Sequence, residues 1–94
     1  MAPLTTNSSL RFLDVPEILS RRRGGRTKLY ADILRNLWPT LVKFGRKSVQ
    51  PEHEVNLMLA AITAGKTDDE LRELVRQIHL TRATAFQSLA GQAA

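Results

Sequence analysis

Cysteine is absent from all 94 residues, which removes disulfide staples, thiolate zinc sites and cysteine nucleophiles together. Aromatic residues make up only 5% of the chain, so a core has to be assembled from Leu, Ile, Val and Ala. The apolar share of 43% suffices for one small core, and the length leaves no room for a second. No apolar run reaches the roughly 20 residues needed to cross a bilayer, and the N-terminus lacks the apolar stretch of a secretory signal. An Arg-rich, Ser-containing start is a transit-peptide trait, but Asp14 and Glu17 oppose it. A reducing cytoplasm and no membrane partner are the expectation.

Chemistry-bearing constellations are missing too. His53 and His79 have no partner at metal-ligand spacing, and His53 between Glu52 and Glu54 reads as surface charge. Ser48 has no nearby base, and there is no glycine-rich phosphate loop. Neither a metal, nor a cofactor, nor enzymatic activity is expected.

What is present is charge of one sign in one half. Residues 1–50 hold ten Lys and Arg against three acids, whereas residues 51–94 hold four against six. The basic residues concentrate at Arg21, Arg22, Arg23, Arg26 and Lys28, and again at Lys43, Arg46 and Lys47. Such asymmetry points to nucleic acid, with a solubilising arm as the alternative.

Periodicity predicts helices throughout. Asp14 caps a short helix with Pro16 in its first turn and Val15, Ile18 and Leu19 inside. The run Ser20–Arg26, with two glycines and four arginines, then reads as a flexible basic linker or arm. Thr27 caps a helix whose apolar positions extend from Leu29 through Trp38 to Val42, kinked at Pro39 and ended by Gly45. Trp38 and Tyr30 read as core residues. Arg46–Gln50 is a connector. Pro51 opens the most apolar helix, with Glu52 and Glu54 in its first turn and Val55, Met58, Leu59 and Ile62 on one face, stopped by Gly65. Thr67-Asp-Asp-Glu70 has the form of a capping box. Leu71, Leu74, Val75 and Ile78 continue that helix, and Thr81 caps a last one ending near Leu89. No strand-like alternation of useful length is evident. The predicted fold is all-α: a bundle of four to five helices, with residues 1–26 a mobile segment carrying a disordered basic arm and residues 27–91 the folded domain.

The stretch Leu74–Leu89 resembles the helix-turn-helix of bacterial regulators and site-specific recombinases, above all in Leu80-Thr81-Arg82-Ala83-Thr84 and the closing Leu89. The resemblance covers about a quarter of the chain and names a superfamily only. It implies a second helix entering the major groove from Thr81, with Arg82, Thr84 and Gln87 reaching base edges. Arg76 would meet the phosphate backbone, and Arg21, Arg22, Arg23, Arg26 and Lys28 would act as a minor-groove arm. Two residues depart from the pattern: His79 stands where the turn usually has Gly, and Val75 where the helices usually cross on a small side chain. The function implied is a sequence-specific transcriptional regulator from a bacterial mobile element, bound to double-stranded DNA as a homodimer. The alternative is a protein-binding antiactivator or anti-repressor that sequesters another regulator. On the first reading, replacing Arg82 and Gln87 with Ala removes specific binding and leaves the fold intact.

Overall fold

Asp14 ends the first strand and starts the first helix. Its carboxylate accepts the Glu17 N–H at 3.1 Å, while the Glu17 carboxylate accepts the Asp14 N–H at 3.3 Å, a reciprocal cap that satisfies two otherwise orphaned donors. The computed structural model describes residues 11–93, with side chains described through residue 88. The expected mobility of residues 1–10 falls outside that range. Within it the elements are β1 (Phe12–Asp14), α1 (Val15–Arg22), α2 (Arg26–Leu34), β2 (Val42–Phe44), β3 (Lys47–Pro51), α3 (Glu52–Thr63) and α4 (Asp68–Ala93).

The expected all-α bundle is therefore corrected. The described residues form four helices and a three-stranded antiparallel sheet, with strand order β1-β3-β2. Leu13 pairs with Gln50, and Val42 with Val49. β1 and β2 have three residues each, too few to show alternation. In β3 Val49, Gln50 and Pro51 are all buried, so the two-residue period of a half-buried strand is lost.

The helix expected to run on to Val42 stops at Leu34. Asn36 takes φ 61°, Asn36 N–H donates to Ile33 O at 3.0 Å and Leu37 N–H to Asp32 O at 2.8 Å. This is the paired-bond termination normally built on glycine, here built on asparagine. Thr27 is not the cap, because Gly25 occupies that position and the helix starts at Arg26. Gly45, at φ 65°, turns the β2–β3 hairpin instead of ending a helix, since Phe44 pairs with Lys47 across it. The next helix runs from Glu52 to Thr63, with Gly65 at φ 82° just beyond it; Pro51, expected to be its first residue, is instead the last residue of β3 and the N-cap.

The C-terminal helix-turn-helix is also corrected. Thr67 and Glu70 do form the capping box, at 2.9 and 3.2 Å, but α4 then runs unbroken for 26 residues. His79, Leu80 and Thr81 are interior helical residues. No glycine or proline lies between Lys66 and Ala90, and a threonine hydroxyl alone does not overcome helix propagation.

The core gathers Leu13, Ile18, Leu29, Trp38, Val55 and Met58 with Leu71, Val75 and Ile78 of α4. The expected disordered arm is corrected as well: Arg21 and Arg22 close α1, Arg23–Gly25 form a turn, and Arg26 opens α2. Among the described residues no helix is long and apolar enough to cross a membrane.

Candidate nucleic-acid interface

The basic segment that reads as a linker joins two helices: α1 and α2 are connected by Arg23-Gly24-Gly25, a connection of the length found in helix-turn-helix units. Arg23 N–H donates to Leu19 O at 2.9 Å, and the chain then reverses through two consecutive positive φ values, 67° at Arg23 and 103° at Gly24. Glycine tolerates the second without steric penalty.

Arg22 fixes the two helices together. Its side chain is only 7% exposed and pairs with Asp32 of α2, while its guanidinium lies 4.6 Å from the Trp38 ring centroid. Burial by itself would raise the Asp32 carboxyl, but hydrogen bonds and charge from Arg22 and Lys28 hold it below its ordinary value. Trp38 in turn donates its indole N–H to Gln50 Oε1 at 2.8 Å. One tryptophan thus joins the end of α1 to the base of the β2–β3 hairpin.

α2 turns Leu29 and Asp32 inward. Outward it presents Thr27, Tyr30, Ala31 and Leu34, with Tyr30 42% and Leu34 85% exposed. A helix with a hydroxyl, a phenol and apolar surface on its outer face has hydrogen-bonding groups and thymine-methyl contacts to offer a base edge. Arg26 sits in its first turn. The hairpin adds exposed Lys43, Arg46 and Lys47. Among the described residues, Arg23, Arg26, Lys43, Arg46 and Lys47 make no ion pair, whereas the basic residues around them largely do. Cations left without carboxylates are available to phosphates.

The residues singled out from the sequence divide accordingly. Arg23, Arg26 and Lys28 lie at the turn and the start of α2, and Lys28 pairs with Asp32 at 3.0 Å. Arg22 is buried, and Arg21 pairs with Glu52 at 2.8 Å. The C-terminal set stands elsewhere, along a straight helix. Thr81, Thr84 and Gln87 are exposed on α4. Arg76 is held by Glu73 at 2.7 Å, and Arg76 and Gln77 together bring the Glu73 carboxyl down to about 2. Arg82 reaches across to α3: its Nε donates to Glu54 Oε2 at 2.7 Å, and its remaining nitrogens bond Glu54 and Thr40. Beside it, Thr40 N–H donates to His79 Nε2 at 3.2 Å. Burial, then the Arg82 charge, lower the His79 pKa, opposed in part by Glu54.

Sequence reasoning misses Thr27, Ala31 and Leu34 as surface groups and places Tyr30 in the core, although a signal for this unit is present. A capped amphipathic helix, a glycine pair and a second amphipathic segment follow one another from Asp14 to Leu34. The arginines around the glycines mask it, because like charges at a turn read as disorder. No family model, curated protein or solved structure matches this chain.

Proposed function

We propose that this protein is a small sequence-specific DNA-binding regulator that reads the major groove with α2, and not with the C-terminal helix. The observation that carries the reading is a group of cations without ion pairs, Arg23, Arg26, Lys43, Arg46 and Lys47, at and around a helix pair that we read as a helix-turn-helix and on the hairpin that follows it. In such a unit the second helix lies in the groove and its N-terminal residues meet base edges. Arg26 and Thr27 occupy that end, and Tyr30, Ala31 and Leu34 continue the same face. The hairpin lysines and arginine take phosphate contacts, which set affinity and register without reading sequence. Regulation follows from occupancy: a protein seated on an operator excludes or recruits other proteins there, in the cytoplasm where the DNA is.

The test is selection from a random duplex pool. An enriched motif is expected, and Arg26→Ala and Tyr30→Ala each relax preference at distinct positions, by about 1–3 kcal/mol per base contact. Arg46→Ala weakens binding to all sequences alike. A pool that returns no enriched motif sinks the proposal.

A further inference from the structure

α4 extends well past the side chains that it buries. Its 26 residues span about 39 Å at the helical rise, but among the described side chains those that it buries are Leu71, Val75 and Ile78, all in its first half. Every residue from Ala83 to Ser88 faces solvent, and Phe86 is 71% exposed. Residues 83–94 contain no charged side chain at all. A helix surrounded by water ordinarily carries charge on its outer faces.

Beside this uncharged end lies an apolar groove of about 260 Å³ between α3 and α4, lined chiefly by Pro51, Leu57, Leu74, Ile78 and Ala85. Leu57 is 46% exposed on its wall. The charged groups at its edge, Glu54 and Arg82, neutralise each other.

We propose that a second copy of this chain covers the face, with the α4 ends antiparallel and each lying along the other's groove. Charge selects the face on which two copies can meet. Among the described residues the unpaired cations are on α2 and flanking it at Arg23 and Arg35, on the hairpin, and at Lys66 ahead of α4, so two copies, each of net charge +5, repel wherever those surfaces approach. The α4 end and the groove are the surfaces where approach brings no like charges together. Geometry agrees, because groove and protruding helix adjoin on one chain. A two-fold axis between the two α4 ends therefore fills both grooves at once. The inference does not depend on DNA binding, and it leaves α2 and the hairpin free in both copies.

Sedimentation equilibrium of the full chain, without DNA, tests it. The protein is expected to be a dimer, and Phe86→Glu and Leu57→Glu each raise the dissociation constant at least about tenfold, the loss typical of a buried apolar anchor. Both residues are exposed in the single chain, so helical content measured by circular dichroism stays unchanged. A chain that remains monomeric at millimolar concentration, or a dimer that both variants leave intact, overturns the proposal.

Discussion

Arg82 shows how one side chain can carry two incompatible readings. On a recognition helix it would face a guanine; in the folded protein it faces Glu54, whose side chain is 3% exposed. Removing the arginine leaves a buried carboxylate uncompensated, which costs roughly 3–5 kcal/mol where burial is complete. Arg82 is itself 25% exposed, so water reaches the site and about 2–3 kcal/mol is expected. Urea denaturation of Arg82→Ala should show this loss, with any change in DNA binding following only from unfolding. Nearby, His79 accepts the Thr40 N–H and must stay neutral to do so. Its pKa lies below the ordinary 6.5, so its contribution to stability is complete above 6.5 and declines as pH falls through the folded value. Unfolding midpoints measured across that range should drop toward acid, and His79→Asn should flatten the drop.

Among the elements, α1, α3 and the start of α4 are legible in the sequence because each announces itself locally. Asp14 with Glu17, Pro51 with Glu52 and Glu54, and Thr67 with Glu70 mark helix starts within one turn. The sheet is illegible, because β1 and β2 are short and β3 buries Gln50 to serve Trp38 and Glu54. The end of α2 is hidden by asparagine in a glycine's place, and the unbroken α4 by a threonine that looks like a cap. The candidate site is legible as charge and glycine but not as a pair of helices. The partners that order it, Asp32 and Trp38, stand ten and sixteen residues beyond Arg22. Two measurements bear on these elements. Carbon chemical shifts from His79 to Thr81 should be helical throughout, where a turn would return them toward coil values. Gly24→Ala places a side chain at φ 103° and should destabilise the protein by about 1–2 kcal/mol, read in thermal melts.

For the whole molecule, cations without ion pairs among the described residues gather on α2, beside it at Arg23 and Arg35, and on the hairpin, with Lys66 apart, whereas α4 opens on acids, of which Asp68 and Glu70 make no ion pair, and carries no charged side chain after Arg82. Phosphate binding releases counterions, so replacing Arg46 and Lys47 with Ala should reduce the slope of log affinity against log salt by about 0.9 for each phosphate no longer neutralised. The central claim is that α2 and the hairpin, and not the C-terminal helix, meet DNA. Amide chemical-shift mapping during titration with duplex DNA tests it most directly. Shifts should concentrate at Arg23–Leu34 and Lys43–Lys47 and leave Thr81–Gln87 unmoved. Shifts confined to Thr81–Gln87, with α2 silent, would contradict that claim.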